Sequence, residues 1–577
     1  MNQAKRIPYG ISDFNQLRNS NCYLVDKTMY LPLIEQMPNY LFLIRPRRFG
    51  KSLFLSMMRT YYDILQKDNF DKYFGDLWIG SHPTDQRNTF QVLYFDFSKA
   101  GCSLPEADLM SSFNEYCGLV INQFADQYVS FYDEDFKSTI ESIESAKAKL
   151  AYIELRAKAK GYPLYLIIDE YDNFTNVILS EHGQQMFHDL THASGFYREY
   201  FKQFKGMFDR IFLMGVSPVT LDDLSSGYNI DWNISTDERF NAMMGFSEAE
   251  VREMFHYYQE NGLLTGDIEA MITEMKPWYD NYCFARMSLN EDRVFNCDMT
   301  LYYLSNQLQR HRAPDEMVDK NIRTDYSKLK MLARIDHDST REGNRMSTIE
   351  EIAAKGEILI QLRTSFPAER VADIDNFRSL LYYYGLLTMC GTRGDLIRMC
   401  IPNHCVREQY FGFLRDYYQK HSSIDLHYLN VMLADLAYDG VWKPFFESLA
   451  RAYRENSSVR DSIEGERNLQ GFLKAYLALA SYYLVQPELE MNYGYCDFFL
   501  LPDKQRYPDV EHSYILELKY APRTATAAEL EAQAEEGRRQ LLQYSKDKIA
   551  RKQAEGTTLH CLLLQFQGWD MVRYEEL

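Results

Sequence analysis

The sequence predicts an α/β fold for its first part, a helical stretch after it, and a second, smaller α/β fold at the C-terminal end. Three observations carry this reading. Short apolar runs, Tyr40 to Ile44, Val92 to Phe97, Leu164 to Ile168 and Ile211 to Met214, alternate with segments of helical spacing, the pattern of buried strands in a mostly parallel sheet. From Gly245 onward the apolar spacing turns helical. Beyond Glu466 a helix-like stretch leads into two strand-like runs and a further helix.

Length and composition bound the rest. At 577 residues the chain exceeds the ~250–300 residues at which one core stops growing, so it divides, and the segments suggest domains at 1–245, 246–425 and 426–577. Hydrophobic residues at 46% and charged residues at 25% exclude a disordered chain, and 44 Tyr suit large packed cores. No run of 18 apolar residues occurs, and the first residues lack the apolar stretch of a signal peptide. A cytoplasmic protein with no membrane partner is therefore expected. The ten cysteines form no CxxC pair, which argues for reduced thiols and against a zinc ribbon. A formal charge of −19 disfavours sequence-independent binding to polyanions, so any contact with DNA or RNA is expected to be local.

The first chemical motif follows the run Tyr40 to Ile44. Arg47, Arg48, Phe49, Gly50, Lys51, Ser52 and Leu53 lead from that strand into a helix, the context a phosphate-binding loop requires. Gly50 lets the backbone turn its N–H groups toward phosphate oxygens, and the emerging helix N-terminus adds partial positive charge. Lys51 is expected to reach the β and γ phosphates and Ser52 to ligate Mg²⁺, with Arg48, Phe49 and Leu53 beside the nucleotide. Arg45 stands where the usual pattern has its first Gly, which leaves the start of the loop less free to adopt positive φ. The run Leu164 to Ile168 ends in Asp169 and Glu170. These suit a Walker B pair, in which Asp169 holds the Mg²⁺ shell and Glu170 polarises the attacking water.

The second motif lies near the C-terminus. Asp497 sits in one strand-like run, Glu490 to Leu501, while Glu517 and Lys519 sit two apart in another, Tyr514 to Lys519, and so share a face. Asp497 and Glu517 can bind a hard divalent ion, and Lys519 can orient water or stabilise charge on phosphate. This pattern resembles the Asp…Glu-x-Lys core of PD-(D/E)XK nucleases, with Cys496 in place of the nominal Pro. A solvated Glu–Lys strand face is the plainer reading of the same residues. Arg538, Arg539, Lys546, Lys548, Arg551 and Lys552 are either a phosphate-facing patch or a solvated helix face.

These segments, together with IPYGISDFNQL, YLVDKT, RPRRFGKS, VLYFDFS, LIIDEYD, WYDNYCFA (Trp278 to Ala285), SLLYYYGLLT and the IPN at Ile401 to Asn403, resemble the bacterial AAA-ATPase-like family, whose members commonly carry a C-terminal PD-(D/E)XK nuclease-superfamily domain. The resemblance covers nearly the whole chain and makes Arg45 a family trait. It implies a P-loop NTPase parallel sheet with a helical lid, a restriction-endonuclease-like C-terminal domain, ATP and Mg²⁺ as cofactors, and a homo-oligomer as one assembly. It also implies a sensor at the end of the Ile211 to Met214 strand, for which Ser217 is the candidate, a capping role being the equal alternative. Gln540 matches the glutamine often found after the nuclease core, and Glu466 an extra acid before it. In the lid, Ser247 and Glu250 have the spacing of a capping box. Arg239 and Arg252 are read as solvated more readily than as charge-stabilising arginines. Residues 300–420 are expected to be a connecting helical region. The functional expectation is an ATPase coupled to a metal-dependent nuclease. The alternative is a nucleotide-dependent switch or scaffold whose C-terminal fold binds a partner without cutting.

Overall fold

The computed structural model describes residues 4–100, 106–174, 196–219, 232–291, 293–319, 339–367, 370–371, 373–419, 425–455, 465–477, 482–491, 494–504 and 507–577. It forms two compact units, Met1–Glu342 with Leu359–Cys405, and Gly343–Ile358 with Val406–Leu577. The expected divisions at 245 and 425 are not where these units part. Most of the middle region is packed with the first unit, for reasons given below.

In the first unit, β1 (Tyr40–Ile44) leads into α1 (Lys51–Tyr62). There follow β2 (Gln91–Asp96), α2 (Glu106–Tyr128), α3 (Ala146–Lys160), β3 (Leu164–Asp169), α4 (Phe196–Phe204), β4 (Arg210–Gly215) and the short β5 (Trp232–Asn233). They make a five-stranded sheet in the order β2-β3-β4-β1-β5, with every pairing parallel. Strands β3 and β4 are buried at every residue, which is why they read as unbroken apolar runs and not as alternating ones. The expected α/β parallel sheet is present, and its strands end at a common edge where β1 and β3 deliver the two halves of the first motif.

The helical lid consists of α5 (Glu248–Glu260), α6 (Ile268–Tyr279) and α7 (Cys297–Arg310). The Ser247–Glu250 capping box forms as the spacing predicts, with Ser247 N donating to Glu250 (2.7 Å) and Glu250 N to the Ser247 hydroxyl (3.2 Å). Val251, Phe255, Ile272, Met275, Met299 and Tyr303 fill the core between these helices. Farther along, α8 (Ile374–Tyr383) precedes a hairpin of β6 (Thr388–Arg393) and β7 (Leu396–Cys400). The expected all-helical connection thus contains strands, which the alternation in Leu396–Cys400 marks only faintly. The charge-rich stretch from Lys320 to Ile335, part of that expectation, lies outside the described residues. No helix among the described residues is long and apolar enough to cross a membrane.

The second unit contains α9 (Lys443–Glu455), α10 (Glu466–Leu477), β8 (Tyr483–Met491), β9 (Gly494–Pro502), β10 (His512–Ala521), α11 (Ala527–Tyr544), β11 (Thr558–Gln567) and β12 (Asp570–Glu576). The strands form a mixed sheet in the order β8-β9-β10-β11-β12, parallel only between β10 and β11. The single run expected from Glu490 to Leu501 is two strands: Glu490 belongs to β8 and pairs back onto Tyr495 of β9.

Candidate functional site

The turn between β1 and α1 lines a cavity. Gly50 is the N-cap of α1 at φ 84°, in the left-handed region where only Gly is unstrained. Arg48 adopts the same region at φ 68°. Arg45 does not, so the doubt attached to a missing Gly there does not arise. Its guanidinium is buried instead, donating to the carbonyls of Ile44 (2.9 Å), Ser235 (2.7 Å) and Phe240 (2.9 Å), and it stacks 4.3 Å from the centre of the Phe284 ring. Burial holds its pKa down at about 10. Arg45 is thus an internal strut, tying the loop to the segment after β5 and to the lid side of the unit.

The same strut explains the family-like motif at Trp278 to Ala285, for which the sequence offered no chemistry. Phe49 stands edge-on to Tyr282 (4.8 Å) and Phe284 (5.5 Å), and Asn281 and Asn403 tie this segment to IPN through Asn281 Nδ2 to Pro402 O (2.9 Å) and Asn403 Nδ2 to Asp280 O (3.1 Å). Tyr382 donates to Phe284 O (2.9 Å). The segment Trp278 to Ala285 therefore braces the loop, and Tyr382 and IPN, far along the chain, hold that segment in turn. This is why the lid and the β6–β7 hairpin belong to the same unit as the sheet.

Lys51 is buried and donates to Pro46 O (2.9 Å); burial lowers its pKa while Asp169 and Glu170 oppose that shift. Ser52 Oγ donates to Asp169 Oδ2 (2.6 Å), and Glu170 N to Asp169 Oδ1 (2.9 Å). Asp169, at the end of β3, is raised to about 6 by burial. The structure brings Lys51, Ser52, Asp169 and Glu170 together. Arg48, Phe49, Gly50, Lys51, Ser52, Leu53 and Glu170 line a cavity of about 420 Å³, whose other walls include Ile11, Tyr23, Met244 and Leu301. A cavity of this size, lined by apolar side chains and by the N-terminus of a helix, has room for a nucleotide. The serine and aspartate oxygens, hydrogen-bonded to each other, are the hard donors that Mg²⁺ takes.

Ser217 is not brought to this cavity. It is fully buried, accepts from Val219 N (3.2 Å), and gets its position from Asp172, which accepts from Val216 N (3.1 Å) and Ser217 N (2.7 Å). The capping alternative is the one the geometry fits. Arg239 is held by Asp237 and Arg252 by Glu248 and Glu269, all outside the cavity lining.

In the second unit, extending the Phe498–Leu516 register by one step sets Asp497 opposite Glu517. Asp497 Oδ2 accepts from Leu518 N (2.7 Å), and Gln470 Nε2 of α10 approaches Oδ1 at 3.4 Å. Lys519 Nζ bridges Glu517 Oε1 (2.8 Å) and Gln540 Oε1 (2.7 Å). Gln540 gets there because α11 presses on the sheet at Gly537, where a Cβ would lie 2.6 Å from Leu563 Cδ1 and 3.3 Å from Lys519 Cε. Burial, then the neighbouring carboxylate, raises Glu517 to about 7, and burial raises Asp497 to about 6, with Glu466 adding negative charge nearby. Glu517 Oε2 is buried with no hydrogen-bond partner. Two facing carboxylates, one with an unmatched buried oxygen, fit a divalent cation. Within the basic segment, Arg538 is committed to Glu531 and Glu575. Gln470 was missed because a lone Gln on a helix carries no motif.

The sheet, phosphate loop and lid define an AAA-type ATPase-like domain, and the C-terminal sheet with its carboxylates a nuclease-superfamily domain. Residues 8–225 match the family model for a predicted AAA-ATPase, and residues 464–576 that for the PD-(D/E)XK nuclease superfamily. The chain is 29% identical over 290 residues to an "Uncharacterized protein in vnfD 5'region" of Azotobacter chroococcum mcd 1, over 48% of this chain and 48% of that protein. The match therefore spans about half the length of that curated relative. Among solved structures, Cdc6p from Pyrobaculum aerophilum is similar at 12% identity over 68% of this chain and 92% of that one, with a TM-score of 0.26. The Aeropyrum pernix Orc1 protein in complex with DNA is similar at 12% identity over 70% and 93%, with a TM-score of 0.24. At these scores neither likeness carries an argument about this chain.

Proposed function

We propose that this protein binds and hydrolyses ATP in its first unit, and that its second unit is a metal-dependent nuclease acting on DNA or RNA. The observation that supports the ATPase reading above all is that Lys51, Ser52 and Glu170 line one cavity at the start of α1, with Asp169 hydrogen-bonded to Ser52 directly behind them. Lys51 leaves Pro46 O for the β and γ phosphate oxygens, and Glu170 takes the proton of the attacking water. Ser52 and Asp169 would hold Mg²⁺, which would supply neutralisation of phosphate charge. Glu170→Gln should bind ATP normally and turn over ~10²–10⁴-fold more slowly; turnover at the wild-type rate contradicts the assignment.

For the second unit, Asp497 and Glu517 are the proposed metal ligands, and Lys519, steadied by Gln540, the group that meets phosphate. Cleavage of plasmid and single-stranded substrates with Mg²⁺ or Mn²⁺ should fall by ~10²-fold or more in Lys519→Ala. The switch reading is favoured by the formal charge of −19 and by the ion pairs that occupy Arg538. Absence of cleavage by wild type under every nucleotide condition selects it. A homo-oligomer in the cytoplasm is the proposed setting, and light scattering with and without ATP tests the assembly.

A further inference from the structure

The cations around the nucleotide cavity are held in different ways. Its described lining includes Lys27, Arg47, Arg48 and Lys51. Lys27 lies 2.7 Å from Glu250 and donates to Ala242 O (2.8 Å), and Lys51 is on Pro46 O. Arg48 instead joins the phosphate loop to the lid: its Nη1 is 3.0 Å from Asp298 Oδ2, with side-chain exposures of only 22% and 26%. Asp298 sits in the first turn of α7, after the Asn296 cap. The helix N-terminus accounts for an acid there, but not for its ion pair with the loop. Arg48 also carries a left-handed backbone, a strained conformation for a residue other than Gly, and its partner Asp298 is, with Glu170, an acid on the wall of a cavity that also carries Lys27, Arg47 and Lys51.

We infer that Arg48 and Asp298 together set the discrimination between ATP and ADP, the terminal phosphate drawing the Arg48 guanidinium away from Asp298. This rests on the ATP reading above. A phosphate tail carries more negative charge than one carboxylate and competes with Asp298 for the guanidinium. With ATP bound, Asp298 loses its counter-charge and faces an anionic tail, so the start of α7 loosens. ADP lacks the terminal group and leaves the pair intact. The pair thus works against ATP, and the state of α7 reports the γ-phosphate.

The test is calorimetric titration of ATP and ADP into wild type, Asp298→Asn and Arg48→Ala, with hydrogen exchange over residues 297–310 of the wild type in each nucleotide. Asp298→Asn should bind ATP about fivefold more tightly, as expected for relief of one partly buried pair, and leave ADP within about twofold. Arg48→Ala should lose affinity for ATP more than for ADP. Wild-type α7 should exchange faster with ATP than with ADP, a reading that needs no variant to fold. Weaker ATP binding by Asp298→Asn, equal shifts for both nucleotides, or identical exchange in ATP and ADP overturns the inference. Wild type that binds ATP while Asp298→Asn changes nothing overturns it alone; wild type that binds no ATP overturns the underlying reading with it.

Discussion

The two candidate sites differ in how their polar groups are satisfied. In the first unit, Lys51, Ser52, Asp169 and Arg48 each have a partner within the protein, while the buried strut Arg45 keeps an unmatched Nε. In the second, a buried carboxylate oxygen of Glu517 has none. A ligand for the first site must displace existing hydrogen bonds and gains selectivity by doing so. A ligand for the second fills a deficit, because the Glu517 oxygen that Lys519 does not reach is costly to bury until a cation or a proton meets it. The first is therefore stable while it waits, and the second holds strain that its own fold must carry.

The largest effect expected from this contrast is at Arg45. Arg45→Gly restores the residue usual at the first position of the loop, yet it strands three carbonyls that the guanidinium now satisfies, and should destabilise the first unit by about 3 kcal/mol or more. Chemical denaturation checks this, and unchanged stability would show the strut to be idle. A smaller effect of opposite sign is expected at Glu517. Its folded-state pKa is about 7 against an ordinary 4.5, so the folded protein holds this proton more tightly than the unfolded chain does. Its contribution to stability therefore falls as pH rises from about 4.5 to about 7 and is constant above. Glu517→Gln should be more stable than wild type by ~1–2 kcal/mol at pH 8 and show no gain at pH 4, read from denaturation at both values. Smallest is the proton linkage: Mn²⁺ affinity at this site should fall up to about tenfold per pH unit below 7, with protons released on binding, seen by calorimetry in buffers of different ionisation enthalpy.

Much of this was written locally. The apolar runs gave β1, β3 and β4, because parallel strands buried on both faces need no polar alternation. Lys51, Ser52, Asp169 and Glu170 were readable because each motif is short and its chemistry fixes the residue types. The part that was not readable is long-range. Nothing near Arg45 says that it will reach Ser235 and Phe240, and nothing near Trp278 says that Tyr282 and Phe284 will brace Phe49. Ser217 was drawn toward the site by its place at a strand end, but Asp172 turns it into the core. Between Glu490 and Leu501 the run that reads as one strand belongs to two antiparallel strands, β8 and β9.

The whole account depends on Lys51, Asp169 and Glu170 serving one triphosphate. Phosphate release from MgATP by purified wild type and Lys51→Ala, measured side by side at saturating nucleotide, addresses it most directly. Turnover by wild type and none by Lys51→Ala is the expected result, and equal rates for the two proteins would contradict it.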